Sequence, residues 1–138
     1  MERTLVIIKP EAVKRKLVGR IISIYEDNHL EIIHSHRIRA TKEVLKKHYD
    51  DIKDKPFFNE VIDYMSSSEV VVLILEGENV VNIVREVNGA TNPAQTRPGT
   101  IRYMYGVNVQ ENAVHGSSSV EIANREIAIW SDLIKYEG

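Results

Sequence analysis

The chain has 138 residues, of which 43% are hydrophobic and 28% charged, which is ordinary for one compact folded domain with its own core. A formal net charge of −2 excludes a bulk electrostatic attraction to nucleic acid. The absence of cysteine excludes disulfides, thiolate catalysis and cysteine-based zinc sites, and the short apolar run near residue 5 predicts neither a signal peptide nor a membrane span. We therefore expect a single cytoplasmic domain over residues 1–138.

The first half of the chain alternates strand and helix patterns. Residues 4–8 are a β-rich apolar run, and Pro10 suits the start of the helix that follows. Residues 21–25 indicate a second helix. Residues 30–38 alternate between apolar and polar types, which predicts a half-buried strand with two histidines on one face. Thr41 is suited to cap the next helix.

The second half continues the same alternation. Residues 57–65 are typical of a helix, and residues 70–75 predict a central strand. A helix over residues 78–88 is expected to end at a left-handed Gly89. The following loop, residues 89–100, is longer than a structural connection needs, which favours a functional role.

The order of these patterns predicts the fold class. Together with a short strand around Val114, it indicates an α+β sandwich, a mostly antiparallel sheet with helices on one face.

The segment around His115 carries the most informative functional pattern. A helix from Ser119 to Trp130 places Glu126 in the middle of an apolar stripe. A buried carboxylate needs a partner, and His115 is the nearest polar candidate in sequence. A histidine oriented by a carboxylate suits nucleophilic or acid–base catalysis. The stripe comprises Val120, Ile122, Ala123, Ile127, Ile129 and Trp130.

Plainer interpretations of these residues remain open at this point. A lone histidine is more often a surface or core residue than a nucleophile, and Glu126 can reach solvent if it lies at the edge of the stripe. Arg85 can serve the helix dipole alone. Lys9 can be an ordinary solvated strand end. Either Phe57 or Phe58 is expected in the core, and the pattern does not say which.

Polar groups at the ends of predicted elements form a plausible polyphosphate cradle. No glycine-rich phosphate loop is present, so side chains would have to hold the phosphates. No acidic cluster has metal-ligand spacing, so a magnesium ion would have to arrive on the phosphates. The groups are Lys9, Arg85, Thr91, Arg102, Asn112 and His115.

The chain resembles nucleoside diphosphate kinases from Arg3 to Trp130. Several segments carry the resemblance, and their order and separations make chance an inadequate explanation. They are residues 4–13 (TLVIIKPEAV), 48–49 (HY), 55–58 (KPFF), 75–79 (LEGEN), 89–94 (GATNPA), 98–102 (PGTIR) and 112–117 (NAVHGS).

The resemblance implies a ferredoxin-like βαββαβ sandwich and a ping-pong transfer of the γ-phosphoryl group from a nucleoside triphosphate such as ATP to a diphosphate. It implies that His115 is the nucleophile and forms a phosphohistidine, that Glu126 holds the other ring nitrogen, and that Ser117 helps to hold Glu126. Mg²⁺ is expected on the nucleotide phosphates, with no side-chain ligands. The implied phosphate, ribose and transition-state contacts are Lys9, Tyr49, Arg85, Thr91, Arg102 and Asn112.

The resemblance also implies features outside the chemical centre. Phe57 matches the aromatic residue on which the base stacks, which implies broad base specificity. A homo-oligomer is expected, with a hexamer favoured over a tetramer because the loop with Pro93 and Pro98 matches the three-fold contact of hexamers. Neither a membrane nor nucleic acid is an expected partner.

The sequence departs from the family pattern after His115 and after Arg102. Ser118 stands where aspartate is usual, and a capping box from Ser118 to Glu121 is expected to preserve the helix start. The bulky segment 103–105 replaces Gly-Asp-Phe, which predicts altered packing or subunit contacts around Arg102. A weakened member that only binds nucleotides is therefore an alternative to the active kinase. A single-stranded nucleic-acid binder using Phe57 and the cations is a third alternative, which the near-neutral charge disfavours.

Overall fold

The computed structural model describes all 138 residues. Four strands and seven α-helices account for most of the chain, and none of the helices is long and apolar enough to cross a membrane. Two short 3₁₀ turns lie at Asp50–Ile52 and Pro93–Gln95. The strands are β1 (Glu2–Ile8), β2 (Glu31–Arg39), β3 (Glu69–Gly77) and β4 (Val114–Gly116). The helices are α1 (Pro10–Lys14), α2 (Val18–Asp27), α3 (Lys42–His48), α4 (Phe58–Met65), α5 (Val80–Asn88), α6 (Ile101–Tyr105) and α7 (Val120–Trp130).

The four strands form one antiparallel sheet in the order β2-β3-β1-β4. Val6 in β1 lies opposite Leu73 in β3 and Gly116 in β4, so β1 and β3 are the central strands. This order is that of a ferredoxin-like sheet, and the predicted α+β class and mostly antiparallel sheet are confirmed.

Helices cover both faces of the sheet, so the expectation of helices on one face is wrong. Leu5 and Ile7 pack in a cluster with α3, α4 and α7, whereas Val6 and Ile8 pack in a second cluster with α1, α2 and α5. The physical reason is visible in β1, where every residue from Thr4 to Ile8 is fully buried. An uninterrupted apolar strand has two faces to bury.

Strand β2 does not alternate regularly, because a bulge interrupts its pairing with β3 between Ile32 and His34. Ile32 consequently packs on one side of the sheet and Ile38 on the other. The expected pairing of His34 and His36 on one face is confirmed, since their rings stack with centroids 6.3 Å apart. His34 Nε2 lies 2.7 Å from the carbonyl oxygen of Ile134, so this histidine has a packing role.

Helix α7 begins one residue later than its predicted cap requires. The hydroxyl of Ser119 accepts the backbone N–H of Ile122 at 3.1 Å, so Ser119 is the cap and the expectation for Ser118 is wrong. Val120 is 42% exposed and lies outside the apolar stripe. Trp130 at the far end is fully buried, and α7 packs across β1.

Arg102 lies on helix α6, a short helix that the sequence analysis did not predict. Thr100 caps it by accepting the backbone N–H of Tyr103 at 3.2 Å. The Pro-Gly pair followed by a threonine at 98–100 was the available sign of a helix start. Because Ile101 is buried, α6 is held against the core and presents Arg102 from a defined position.

Gly89 has the positive φ expected at the end of α5, 89°, although its ψ of −177° is extended rather than left-handed helical. A Cβ at Gly89 would lie 2.6 Å from the Thr100 hydroxyl and would also collide with the Thr96 hydroxyl. Gly99 has the same φ of 89° with nothing within 4 Å, and Gly19 has an open surrounding without a positive φ. Alanine substitutions at these three glycines therefore distinguish the cost of a steric clash from the cost of a positive φ.

Gly89→Ala is expected to lower the free energy of unfolding by ~3 kcal/mol, because it adds a clash to the strain of a positive φ. Gly99→Ala should cost about 1 kcal/mol from strain alone, and Gly19→Ala should be neutral or raise stability by up to ~1 kcal/mol. Urea unfolding of the three variants measures the order. Equal losses at Gly89 and Gly99 would show that the threonine hydroxyls impose no constraint.

Candidate active site

His115 lies on β4 directly opposite Ile7 of β1, and its side chain is 20% exposed. Its Nε2 atom lies 2.9 Å from Oε1 of Glu126. The Ser117 hydroxyl donates to the same carboxylate oxygen at 2.6 Å. The structure thus brings together the three residues that the sequence analysis placed in the chemical centre, and Nδ1 is left as the free ring nitrogen of His115.

Glu126 is 4% exposed and lies on the buried face of α7. Burial alone raises the pKa of its carboxyl group. The hydrogen bond and charge of His115, together with His48 and Ser117, outweigh burial and hold that pKa below its ordinary value. Glu126 is therefore ionised at neutral pH, which favours a proton on His115 Nε2.

The chain enters β4 through a strained residue. Ala113 has a φ of 75°, which is uncommon for a residue with a side chain. Its N–H is bound by Oε1 of Glu11 at 2.8 Å, and its carbonyl oxygen accepts the backbone N–H of Lys9 at 2.9 Å. The start of α1 thus holds the backbone two residues before His115. Glu11 was not singled out from the sequence, although it follows Pro10 in the family-like segment.

A cavity of about 850 Å³ opens in front of His115. Four of its lining side chains are cationic and Glu86 is the only acidic one, so the cavity favours anions. Arg97 lines it as well, and the sequence analysis missed this residue although it shares the long loop with Thr91. The predicted residues that line the cavity are Lys9, Tyr49, Arg85, Thr91, Arg102, Asn112 and His115.

The cations reach the cavity from separate elements. Lys9 donates to the carbonyl oxygen of Gln110 at 3.2 Å, and burial together with the charge of Arg102 lowers the Lys9 pKa to about 8. Arg102 donates to the carbonyl oxygens of Gly89 and Val114, each at 2.7 Å. Arg85 is exposed on α5 and makes one hydrogen bond, to the Ser118 carbonyl oxygen at 3.2 Å. Arg102 thus connects two backbone segments by hydrogen bonds, whereas Arg85 contacts only one.

Asn112 connects the long loop to the segment before β4. Its Nδ2 donates to the carbonyl oxygens of Thr91 and Val109, both at 3.0 Å. Two buried polar atoms beside the cavity, Asn112 Oδ1 and Arg102 Nε, have no hydrogen-bond partner. Such orphaned atoms are uncommon in folded proteins and are a feature of sites that receive a ligand.

Phe57 is not brought into this cavity. It precedes α4 and is 44% exposed, whereas Phe58 packs against the core. The choice between the two phenylalanines, which the apolar pattern left open, is thus made by packing. Phe57 is the one whose ring remains accessible.

His48 is a residue near the chemical centre that the sequence analysis did not assign. It is 3% exposed, and its ring lies edge-on to that of His115 with centroids 4.6 Å apart. Helical spacing was the available signal, because His48 is three residues after the buried Leu45 and shares its face of α3.

The ligand atoms of His48, His115 and Glu126 lie within 4.8 Å of one another. Two imidazole nitrogens and one carboxylate are ligands that suit zinc rather than magnesium, which prefers oxygen ligands and retains water. This cluster therefore does not fit Mg²⁺, and the cavity lining offers a single carboxylate, Glu86, among four cations.

A histidine held by a buried carboxylate at the edge of a cationic cavity, on a ferredoxin-like sheet, is an arrangement suited to a phosphotransferase that acts on anionic substrates. The sequence profile described as nucleoside diphosphate kinase matches residues 2–133. The chain therefore belongs to the nucleoside diphosphate kinase family.

Individual relatives agree with the family profile. The nucleoside diphosphate kinase of Clostridium perfringens is 44% identical over 137 residues, covering 99% of this chain and 96% of that protein. The enzyme of Nitratiruptor sp. is 48% identical over 130 residues, covering 94% and 95%.

Solved structures support the same fold. The apo nucleoside diphosphate kinase of Encephalitozoon cuniculi superposes with a TM-score of 0.92 at 42% identity, covering 94% of this chain and 88% of that one. The Aquifex aeolicus enzyme superposes with a TM-score of 0.89 at 35% identity, covering 93% of both chains.

The activity follows from the family. The protein is a phosphotransferase that acts on nucleotides and moves the γ-phosphoryl group of a nucleoside triphosphate to a nucleoside diphosphate. The family uses a divalent cation with its nucleotides.

Replacement of Arg102 and of Arg85 should affect stability differently. Arg102→Ala leaves the carbonyl oxygens of Gly89 and Val114 without their donor, and should lower the free energy of unfolding by about 1–3 kcal/mol. Arg85→Ala should change it by less than ~0.5 kcal/mol, because Arg85 is exposed. Denaturant titration without nucleotide compares them, and similar values would contradict a structural role for Arg102.

Nucleotide affinity should depend on the protonation of Lys9. Below about pH 8 Lys9 is cationic, and above that pH it loses the charge that attracts phosphate, so affinity for ADP should fall as pH rises from 7 to 10. Calorimetric titration of ADP measures this dependence. Lys9→Arg remains charged throughout and should show a flatter profile; the same decline in both proteins would assign it to another group.

Proposed function

We propose that His115 is the residue that carries the phosphoryl group, and that it reacts through Nδ1. One observation carries this assignment: Nε2 is held by Glu126 at 2.9 Å, which leaves the Nδ1 lone pair free. In the first half-reaction that lone pair forms a bond to the γ-phosphorus, while the bond from phosphorus to the bridging oxygen breaks and the diphosphate leaves with its electrons. In the second, a terminal oxygen of the acceptor diphosphate forms the new bond and the P–N bond breaks.

The remaining side chains have different roles that depend on where they lie relative to His115. Glu126 and Ser117 orient the imidazole and stabilise the positive charge that develops on it. Lys9, Arg85 and Arg102 bind the phosphates and neutralise charge in the transition state, as phosphoryl transfer requires. Tyr49, Thr91 and Asn112 contact the phosphates and ribose. This division is supported by the cationic lining of the cavity and by the unpaired Arg102 Nε and Asn112 Oδ1.

The base is bound outside the cavity, on Phe57. The support is the exposure of this ring beside a core-packed Phe58. Stacking on an aromatic face does not read the edge of a base, so broad base specificity follows.

The divalent cation is Mg²⁺, and it enters with the nucleotide. The four cations and single carboxylate of the cavity lining, which suit phosphate better than a bare cation, support this route. When bound, Mg²⁺ neutralises charge on the phosphate oxygens, while the side chains of this chain position those phosphates.

Residues 1–138 form one cytoplasmic kinase domain that assembles into a homo-oligomer, with a hexamer favoured over a tetramer. Two features support assembly. Strand β2 is an edge strand with one neighbour, and edge strands are available for pairing. Four large apolar side chains are exposed in one short segment that follows the Pro93–Pro98 loop, namely Tyr103, Met104, Val107 and Val109.

Phosphohistidine formation tests the function. Incubation with γ-labelled ATP should give an acid-labile, base-stable phosphoprotein, and His115→Ala should abolish the label. His34→Ala is the matched control and should be labelled like the unsubstituted protein, because His34 packs far along the sheet against Ile134. Persistent label in His115→Ala would refute the assignment, and an unlabelled parent protein would indicate a nucleotide-binding member without activity.

A further inference from the structure

His48 is a buried histidine without a place in the proposed reaction. Its side chain is 1% exposed, it does not line the cavity, and its neighbour Tyr49 does. Its ring lies against those of three other residues, edge-on in each case: His115 at 4.6 Å, Tyr49 at 4.6 Å and Trp130 at 5.9 Å between centroids. A fully buried imidazole needs hydrogen-bond partners, and those of His48 define its chemical state.

Trp130 determines which nitrogen of His48 carries the proton. The indole N–H of Trp130 lies 3.0 Å from His48 Nδ1, and an indole nitrogen is only ever a donor. Nδ1 must therefore accept. Burial, followed by the charge of His115, lowers the pKa of His48 to about 3, so the ring is neutral in the working range. A neutral ring that accepts at Nδ1 carries its single proton on Nε2.

That Nε2–H faces the catalytic carboxylate. His48 Nε2 lies 3.5 Å from Oε2 of Glu126. The two hydrogen bonds that Glu126 receives, from His115 and Ser117, both end on the other oxygen, Oε1. His48 is thus a polar group close to the carboxylate oxygen that receives neither of these hydrogen bonds.

We propose that His48 is a positioning residue that orients the Glu126 carboxylate through Oε2, and through it the ring of His115. The Trp130 N–H donates to His48, and the Nε2–H of His48 makes a close polar contact of 3.5 Å with the carboxylate that accepts from His115. Because every donor direction in this series of contacts is determined, it selects the His115 tautomer that presents a free Nδ1 to the cavity. This role rests on the proposed function of His115.

Steady-state kinetics of two His48 variants and a control test the role. His48→Phe keeps the ring and removes both nitrogens, and should lower kcat about 10-fold, in the range lost when the partner that orients a functional side chain is removed. The KM for nucleotides should stay within about twofold, since His48 does not line the cavity. His48→Gln retains an N–H donor and should recover most of the lost kcat. His36→Phe makes the same change on β2 and should leave both constants unchanged.

Two kinetic results would overturn the proposal. The first is an unchanged kcat in His48→Phe. The second is an equal loss in the Phe and Gln variants or a rise in KM, because either would point to ring packing rather than to the N–H. Thermal unfolding is recorded alongside, since loss of the acceptor for Trp130 in His48→Phe lowers stability without altering kcat per folded molecule.

The tautomer gives a readout that does not depend on activity or on a variant. Long-range ¹H–¹⁵N correlation spectra of the unsubstituted protein should show His48 neutral and protonated on Nε2 at pH 7. A proton on Nδ1, or a cationic ring, would overturn the proposal even if His115 carries the phosphoryl group. Conversely, an Nε2–H on His48 in a protein whose His115 is never phosphorylated would leave the geometry intact and refute the proposed function instead.

Discussion

The structure around the site depends on one constraint, the burial of the Glu126 carboxylate. An unpaired charge in a protein interior costs several kcal/mol, so the polar groups around Glu126 must lie within contact distance of its carboxylate. His115 and Ser117 come from β4 and the residue that follows it, and His48 comes from the end of α3 on another part of the chain. The carboxylate therefore joins two parts of the fold, and the ring of His115 is held at that junction.

The cavity shows the opposite arrangement, in which charge gathers without being neutralised. Lys9, Arg85 and Arg102 come from three distant segments, and Glu86 is the only acidic residue that lines the cavity with them. Their mutual repulsion is visible in the lowered pKa of Lys9, to which Arg102 contributes after burial. Cations that are held close together in this way attract a polyphosphate. The hydrogen bonds of Arg102 to Gly89 and Val114 supply part of the rigidity that this requires.

Elements with a strong local pattern were predictable. The apolar runs of β1 and β3, the Thr41 cap and the carboxylate in the stripe of α7 were all recognised before the fold was known. The predictions from sequence were wrong where contacts with residues distant in sequence determine the local structure. The bulge in β2 depends on pairing with β3, and α6 is only five residues long and is stabilised by burial of Ile101. Ser119 caps α7 instead of the predicted Ser118, because two adjacent serines are equivalent in sequence and only the direction of the backbone distinguishes them.

The sequence by itself determined the family, because the order and spacing of its lysine, arginine, asparagine and histidine segments can be read without knowledge of the fold. It also determined that Glu126 needs a partner, since hydrophobic periodicity alone reveals a misplaced charge. Only the tertiary structure decided which partners meet it. His48 lies 78 residues away in sequence, and its place beside Glu126 follows from antiparallel pairing, from the packing of α7 across β1 and from the indole N–H of Trp130, none of which local periodicity contains.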